Sequence, residues 1–327
     1  MRVLVTGSAG HLGEAVLRRL LATEHEALGL DLLESPHTQR VGSICDRDFV
    51  AGCLDGIETV VHTATLHKPH VATHSRQDFV DTNITGTLNL LEEACLAGVR
   101  SFVFTSTTSA FGAALEPAEG APAAWITEEV PSIPRNIYGV TKTAAEDLCQ
   151  LFHRKQGLAC LVLRTSRFFP EEDDNRTLRE SFADGNAKAN EFLFRRLDLE
   201  DAAAAHLLAL ERAPEIGFGR YILSATTPFL PEDLGRLRVE APAVVAQRVP
   251  EYEAVYRRLG WRIFPRIHRV YVNRRAREDL GWKPAYDFHR LIAQLAAGEE
   301  IGSRLARQVG KKGYHGEVFA DGPYPVE

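Results

Sequence analysis

The sequence lacks an apolar run of membrane-spanning length, a basic run, a low-complexity tract and an internal repeat. A spanning helix needs about 20 mostly apolar residues, so no membrane partner is expected. The formal charge of −6, without a basic amphipathic stretch, gives no reason to expect a nucleic-acid partner. Met1 leads directly into an apolar stretch, which leaves no room for a signal peptide. We therefore expect a cytoplasmic location.

Cysteine is sparse, and its spacing argues against two kinds of site. The five cysteines lie in apolar or helical settings and lack the paired spacing of metal ligands. Reduced, buried thiols are expected, as in a cytoplasmic protein. His62, His67, His70 and His74 cluster in the sequence, but no cysteine or carboxylate completes a recognisable ligand set. The sequence therefore predicts neither a disulfide framework nor a metal site.

Strand and helix patterns alternate through the first half of the 327-residue chain. The predicted strands are 2–5, 26–31, 41–44, 59–64, 101–106 and 159–164, and the predicted helices are 14–21, a segment ending near 54, 79–97 and 138–155. This alternation predicts an α/β fold with a doubly wound parallel sheet and helices on both faces. The length suits one large or two small domains.

The pattern changes beyond Thr165. A polar and charged stretch is followed by a strand-like segment at Arg195–Leu199, an alanine-rich helix at 201–212 and a further strand at 221–223. We predict a cofactor-binding domain of residues 1–166, to which 195–225 return. Residues 167–194 and 226–327 are predicted to form a smaller substrate-binding lobe.

Three glycines follow the first predicted strand and lead into an amphipathic helix. The loop is Gly7-Ser8-Ala9-Gly10-His11-Leu12-Gly13. Gly7 permits a tight turn, Gly10 lets the backbone approach a pyrophosphate, and Gly13 lets the helix pack close to the strand. Amides at the start of the helix then face the phosphates. The loop predicts a dinucleotide site in a Rossmann fold.

Asp31 ends the second predicted strand, 18 residues after Gly13. A carboxylate at this place accepts hydrogen bonds from a ribose diol. It would repel a 2′-phosphate, and the following Leu32-Leu33-Glu34 offers no arginine to balance that charge. The sequence therefore favours NAD as the cofactor, while the alternative is that Asp31 only caps the next turn.

Tyr138 and Lys142 lie four residues apart, on one face of a predicted helix. A lysine ammonium beside a phenol lowers the pKa of the phenol, so that a tyrosine exchanges protons with an alcohol or carbonyl near neutral pH. An ordinary surface pair is the alternative.

The whole chain resembles the extended short-chain dehydrogenase/reductase family, of the NAD-dependent epimerase/dehydratase type. The glycine loop resembles the cofactor motif of that family, and Tyr138 with Lys142 resembles its catalytic pair. Asn83-Ile84-Thr85-Gly86-Thr87 resembles the central-helix motif, and the segments 201–206 and 280–284 resemble two late landmarks.

The resemblance implies three catalytic residues. Tyr138 would donate or accept the proton, Lys142 would hold the nicotinamide ribose and tune Tyr138, and the hydroxyl of Thr107 would orient the reacting alcohol. The remaining cofactor contacts that it implies are Ser43 and Ile44 near the adenine and Thr63, Ala64 and Thr65 along the cofactor. Relatives commonly form dimers through the two helices equivalent to 79–97 and 138–155, so a homodimer is expected.

Three departures from the family pattern limit the choice of substrate. Dehydratases need an Asp-Glu pair after the catalytic hydroxyl, where this chain has Thr108 and Ser109. Ser43 replaces the acidic residue that contacts adenine in many relatives. Nucleotide-sugar enzymes usually carry an asparagine in place of Arg167, followed by an insertion longer than the 25 positions between Pro170 and Arg195. A dehydratase is not expected, and a uridine diphosphate pocket is disfavoured.

The stretch 169–178 has a local resemblance to the substrate segment of uronate dehydrogenases. Arg167 or Arg176 could hold a substrate carboxylate there through a two-point contact. The alternative is that each arginine pairs with one of the acidic residues at 171–174.

These observations predict an NAD-dependent oxidoreductase that acts on a hydroxyl or carbonyl of a sugar-like small molecule. The main alternative is a nucleotide-sugar 4-epimerase resembling UDP-glucose 4-epimerase. A third hypothesis is a cofactor-sensing binding protein without catalysis. The tail from Gly313 to Pro325 is expected either to cap the pocket or to join a dimer.

Overall fold

A computed structural model describes residues 1–313 and residue 319. The strands in these residues are β1 (Arg2–Thr6), β2 (Glu26–Asp31), β3 (Arg40–Val41), β4 (Thr59–His62), β5 (Ser101–Thr107), β6 (Ala124–Ile126), β7 (Ala159–Thr165), β8 (Phe218–Leu223) and β9 (Arg269–Tyr271). Seven of them form one parallel sheet in the order β3-β2-β1-β4-β5-β7-β8, and β6 pairs with β9 in a second, parallel sheet. The doubly wound parallel sheet predicted from the sequence is confirmed.

Helices flank the large sheet and build the C-terminal part of the chain. They are α1 (His11–Leu20), α2 (Arg47–Cys53), α3 (Arg76–Val80), α4 (Gly86–Leu96), α5 (Ile137–Gln156), α6 (Arg176–Ser181), α7 (Asp184–Glu191), α8 (Leu199–Ile216), α9 (Leu234–Arg248), α10 (Tyr252–Leu259), α11 (Arg274–Leu280), α12 (Phe288–Ala296) and α13 (Arg304–Val309). No helix of the described residues is long and apolar enough to cross a membrane.

Both faces of the large sheet are buried, because successive side chains of a strand point to opposite faces. Val3 and Val5 pack into one core with α1 and α8, while Leu4 packs into another with α2, α4 and α5. The apolar residues of β1 therefore contribute side chains to two different hydrophobic cores.

The C-terminal part has a core of its own, contributed mainly by residues between 187 and 295. The β6–β9 pairing, in which Trp125 lies opposite Val270, connects this part to the segment between β5 and α5. Trp282 and the apolar residues of α11 and α13 instead pack into the core that contains α1 and α8. The end of the described chain thus returns to the large sheet.

The helix predicted for 79–97 is interrupted. A π-helical turn at Asp81–Thr85 separates α3 from α4. Within that turn, the Asn83 side chain accepts a hydrogen bond from the Leu66 amide and donates one to the Leu66 carbonyl, both at 2.9 Å. A π-turn of this kind is frequent at functional sites, since it redirects a side chain out of the regular helix.

The strand-like interpretation of Arg195–Leu199 is wrong, since only Arg196 makes an isolated bridge, to Arg167. Asp198 instead caps α8, its side chain accepting a hydrogen bond from the Glu200 amide at 2.8 Å. The apolar residues in this stretch are buried without joining a strand ladder. The strand predicted for 41–44 is also inaccurate, because β3 contains only Arg40 and Val41.

Helix α1 packs very close to the loop that follows β1. A Cβ atom on Gly13 would lie 2.0 Å from the Gly7 carbonyl oxygen, and Gly7 itself has a φ of +75°. Neither position therefore accepts a side chain without a shift of the backbone.

Replacing Gly13 by alanine is expected to lower the free energy of unfolding by about 2 kcal/mol, because the new methyl group overlaps backbone atoms. Gly52→Ala is the matched control, since nothing lies within 4 Å of its added Cβ in α2. That control should be neutral or stabilising by up to about 1 kcal/mol. Urea unfolding measures both variants, and equal stabilities would contradict this account of the packing.

Candidate active site

A cavity of about 640 Å³ opens at the carboxyl ends of the strands. The residues predicted from the sequence that line it are Gly7, Gly10, His11, Leu12, Gly13, Asp31, Ser43, Ile44, Thr63, Ala64, Thr65, Thr107 and Tyr138. Lys142 belongs to the same prediction but does not line the cavity. The structure thus brings the predicted cofactor and catalytic residues to one place, with Lys142 behind its wall.

The glycine loop forms one end of this cavity. Gly10 is the N-cap of α1 and contributes no side-chain hydrogen bond, so it does not compete for the amides of the first turn. Asp31 accepts hydrogen bonds from the Ala9 amide at 2.9 Å and from the Leu33 amide at 3.0 Å. Asp31 therefore does cap the next turn, but it also lines the cavity, and each carboxylate oxygen retains further acceptor capacity.

The side chains predicted to be catalytic, Thr107 and Tyr138, both line the cavity where β5 ends and α5 begins. Thr107 is the last residue of β5, and Tyr138 is the second residue of α5. Burial raises the pKa of Tyr138 to about 12, an effect that the Thr107 side chain only partly offsets. Tyr138 is therefore protonated at neutral pH.

Lys142 does not lower the pKa of Tyr138 in the way expected from the sequence. Its Nζ lies 4.0 Å from the centre of the Phe104 ring, and the residue is only 2% exposed. Burial lowers the pKa of Lys142 to about 7, although Cys149 and Glu146 oppose that shift. A lysine that is partly neutral at physiological pH exerts a weaker field on the phenol than a full ammonium would.

Glu146, one turn beyond Lys142 on α5, is the centre of a buried network that sequence reasoning missed. Its carboxylate accepts hydrogen bonds from the Ser106 hydroxyl at 2.5 Å and from two nitrogens of Arg164 at 2.9 and 2.7 Å. Arg220 adds a contact at 3.2 Å. The available signal was the spacing of Tyr138, Lys142 and Glu146, which repeats every four residues on one helix face.

Within the described residues, the four clustered histidines are not arranged as a metal site. His62 is buried between the hydroxyls of Thr6 and Thr87, at 2.7 and 3.0 Å, and burial holds its pKa well below the usual range. Throughout the described residues, no group of three potential ligands is arranged to hold a metal ion. His62 therefore acts as a neutral hydrogen-bonding partner in the sheet.

The segment between β7 and α6 is fixed across the cavity by its acidic residues. Glu171 accepts a hydrogen bond from the Lys312 backbone amide and pairs with His11 of α1, both at 3.2 Å. Asp174 pairs with Lys68, which lies in the 3₁₀ turn after β4. We call residues 168–175 the cover segment, because these contacts hold it above the site.

The two arginines considered for a substrate carboxylate are both paired within the protein. Arg167 contacts Asp173 at 2.7 Å, and Arg176 contacts Glu180 at 2.8 Å on the exposed side of α6. Arg167 lines the cavity, whereas Arg176 does not.

Glu191 is the buried counter-ion for a cluster of arginines beside the cover segment. It lies 2.6 Å from Arg195, 2.8 Å from Arg196 and 3.9 Å from Arg167. Although burial opposes ionisation, these arginines lower the pKa of Glu191 to about 2.

The end of the described chain also reaches the cavity. Lys312 and Gly313 line it, and the Lys312 ammonium pairs with Glu14 of α1. The rest of the tail whose role was left open, 314–318 and 320–325, lies outside the described residues.

Comparison with known proteins identifies the group to which this architecture is similar. The model of the NAD dependent epimerase/dehydratase family matches residues 3–220. The chain is 28% identical to a 3 beta-hydroxysteroid dehydrogenase/Delta 5-->4-isomerase of Mycobacterium tuberculosis, with 90% of this chain and 89% of that protein aligned. It is also 28% identical to a UDP-glucose 4-epimerase of Mycolicibacterium smegmatis, with 87% and 94% aligned.

A solved structure supports the fold in the same way. A short-chain dehydrogenase/reductase superfamily protein from Agrobacterium tumefaciens, with bound NAD, superimposes with a TM-score of 0.64 at 23% identity. The alignment covers 94% of this chain and 97% of that one. At this identity the likeness concerns the fold alone.

Replacing Glu191 by glutamine is expected to lower the free energy of unfolding by about 3 kcal/mol at pH 7, because it leaves buried arginines without their counter-ion. The depressed pKa stabilises the fold above pH 4.5, and this contribution is lost as the pH falls towards 2. The difference in the free energy of unfolding between the variant and the wild type should therefore become smaller as the pH falls from 4.5 towards 2.

Denaturant unfolding at pH 7 and pH 3 measures this difference. Glu180→Gln is the matched control, since Glu180 forms an exposed ion pair on α6 and should change stability by less than about 1 kcal/mol. Equal effects of the two substitutions at pH 7 would contradict the counter-ion role of Glu191.

Proposed function

Because the chain belongs to the NAD-dependent epimerase/dehydratase family, we propose that it catalyses NAD-dependent oxidation or reduction at a hydroxyl or carbonyl of a sugar-like small molecule. Family membership makes it an NAD-dependent enzyme, as the sequence predicted. The observation that carries the proposal is that Thr107 and Tyr138 line the same cavity as the glycine loop.

The cavity suits NAD at the end formed by the glycine loop. Gly7, Gly10 and Gly13 line the cavity without side chains, so the backbone of the loop can approach a pyrophosphate, and Asp31 provides acceptors for a ribose diol. His11 and Leu12 would offer backbone amides to the pyrophosphate, and Ser43 and Ile44 would lie near the adenine. Bound NAD supplies an acceptor or donor of hydride.

The chain's own residues would handle the proton and orient the substrate. With a pKa near 12, Tyr138 is suited to donate its proton to a carbonyl oxygen during reduction. In the oxidising direction it must first lose that proton, and Thr107 would hold the substrate hydroxyl beside it. Lys142 would contact the nicotinamide ribose, as the family resemblance implies. Thr63, Ala64 and Thr65 would line the cofactor.

Polar side chains in the cavity support a sugar-like substrate. The two relatives of equal identity act on different classes of molecule according to their names, so identity alone does not choose. Ser109, Asn136 and Arg269 line the cavity, and the hydroxyl groups of a sugar can pair with these side chains. Most of the wall is apolar, so these polar side chains, and not the overall character of the cavity, carry the choice.

A nucleotide-sugar 4-epimerase is the second candidate. It would use the same residues but return the hydride to the other face of the substrate, without net consumption of NAD. Arg195 and Arg269 line the cavity from beyond β7, and they favour this candidate because arginine suits a diphosphate. The cover segment is short, which favours a smaller substrate.

We also propose a cytoplasmic location and a division of labour within the chain. The five cysteines are free thiols, which suits a reducing compartment. Residues 1–166 with 195–225 would bind the cofactor, and residues 167–194 with 226–327 would bind the substrate. The separate core centred on residues 187–295 supports that division, while α11, Trp282 and α13 pack against the cofactor-binding part.

Tyr138→Phe should lower the rate of substrate-dependent NADH formation by at least about 100-fold, because general acid–base catalysis is lost while the ring remains. The assay incubates the protein with NAD and a panel of free sugars, uronic acids, polyols and uridine-diphosphate sugars, and follows absorbance at 340 nm. Tyr286→Phe is the control, since Tyr286 does not line the cavity.

Accumulation of NADH with a free sugar or acid supports the dehydrogenase. Conversion of a uridine-diphosphate sugar to its 4-epimer without NADH would favour the second candidate. Undiminished activity of Tyr138→Phe would reject catalysis through this residue and leave a cofactor-binding protein without that chemistry.

We further propose a homodimer that forms through α4 and α5. Leu96 on α4 and Val140 and Leu151 on α5 are large apolar side chains that are at least 40% exposed in the single chain. Val140 and Leu151 are separated by three helical turns and so lie on one face of α5.

Light scattering should therefore give twice the chain mass of 36.2 kDa for the wild type. Leu151→Glu should shift the protein towards the monomer, because a charge would be buried in the interface. Val239→Glu, at an exposed position of α9, should leave the dimer intact. A monomeric wild type at micromolar concentration would overturn the proposal.

A further inference from the structure

The strand β9 contributes one wall of the cavity from far along the chain. Arg269 and Tyr271 line the cavity, whereas Val270 between them is buried in the C-terminal core. This is the alternation that a strand imposes, since residues two apart share a face. The pairing of β9 with β6 thus fixes the position of Arg269 on the wall.

The Arg269 side chain makes no hydrogen bond or ion pair with any residue that the structure describes, and its Nε is buried without an acceptor. Other cations on the wall are neutralised: Lys68 by Asp174, Arg135 by Glu116 and Lys312 by Glu14. A guanidinium beside a cavity without an acceptor is in an environment that favours an anionic ligand.

Further buried donors that line the cavity also lack acceptors. Among them are the hydroxyl of Ser166, a residue only 3% exposed, and the Nε of Arg195, whose Nη2 pairs with Glu191. Buried donors are nearly always hydrogen-bonded in folded proteins, so their presence along the cavity marks the place of a ligand with acceptor oxygens.

The order of the strands separates these donors from the dinucleotide loop. In the large sheet, β5 lies between β4 and β7, the glycine loop follows β1, and Ser166 follows β7. Ser166 and the glycine loop are therefore on opposite sides of Thr107, which ends β5. The donors belong to the substrate end of the cavity.

We propose that Arg269, together with Ser166 and Arg195, forms a subsite for a carboxylate or phosphate group on the substrate. This rests on the proposed function, and it names the substrate class as an acidic sugar derivative. Planar guanidinium groups bind both kinds of anion through two parallel hydrogen bonds. Arg176 is not part of the subsite, because it does not line the cavity. Arg195 keeps its Nη2 contact with Glu191 and contributes its Nε to the subsite.

Equilibrium binding to the full chain saturated with NADH tests the subsite without turnover. The probes are glucose, glucuronate, glucose 1-phosphate and UDP-glucose, measured by calorimetry. We expect glucuronate or glucose 1-phosphate to bind at least 10-fold more tightly than glucose, and the preferred anion identifies whether the subsite is built for a carboxylate or a phosphate.

Arg269→Ala should weaken that binding by about 10- to 100-fold, the loss typical of a charge-assisted hydrogen bond. Arg269→Lys should restore part of it, and both variants should bind NADH as the wild type does. Arg266→Ala is the matched control, because it removes the same charge from an exposed position that does not line the cavity.

Equal binding of glucose and the two acids would overturn the subsite, as would equal affinities of Arg269→Ala and Arg266→Ala. Preference for UDP-glucose that survives Arg269→Ala would also overturn it, since the diphosphate would then be held elsewhere. These failures are distinct from failure of the proposed function. NADH formation from a neutral sugar would leave that function standing, while acid binding without any Tyr138-dependent turnover would leave only the subsite.

Discussion

The arrangement of the active site depends on one buried carboxylate. Glu146 is completely buried, so its charge must be met inside the protein, and Ser106 and Arg164 provide the hydrogen bonds. Ser106 is the neighbour of Thr107, and Glu146 lies two turns along the helix from Tyr138. The same interaction that compensates the charge therefore sets the distance between the strand carrying Thr107 and the helix carrying Tyr138. The residues proposed for proton transfer are therefore carried by two elements that this buried network joins.

Local patterns were sufficient to predict residues that line one end of the cavity. The glycine loop, Asp31 and the alternation of strands and helices are each encoded within a few neighbouring residues, and the parallel sheet then brings their ends together. Thr107 and Tyr138, which were predicted from the family resemblance, also line the cavity. The strand limits were less accurate at 41–44 and at 195–199, because apolar alternation does not distinguish a ladder from a buried turn whose polar groups are satisfied by caps and ion pairs.

The end of the cavity proposed to hold the substrate was not predictable, since it is assembled from distant parts of the chain. Arg269 shares no sequence pattern with Ser166 or Arg195, and only the β6–β9 pairing brings it to the cavity. The charge state of Lys142 could not be predicted from the sequence either. The sequence places Lys142 on the face of Tyr138, but burial against Phe104 reduces its charge, and burial depends on the whole fold.

The parallel pairing of residues 124–126 with 269–271 has a consequence for how the molecule is made. Closing so long a loop is entropically costly, so such a contact forms late in folding. During synthesis it must also wait until the ribosome has added Tyr271, whereas Thr107, Tyr138 and Lys142 have emerged long before. The nascent chain consequently contains the residues proposed for its reaction chemistry well before it can place Arg269 in the proposed anion subsite.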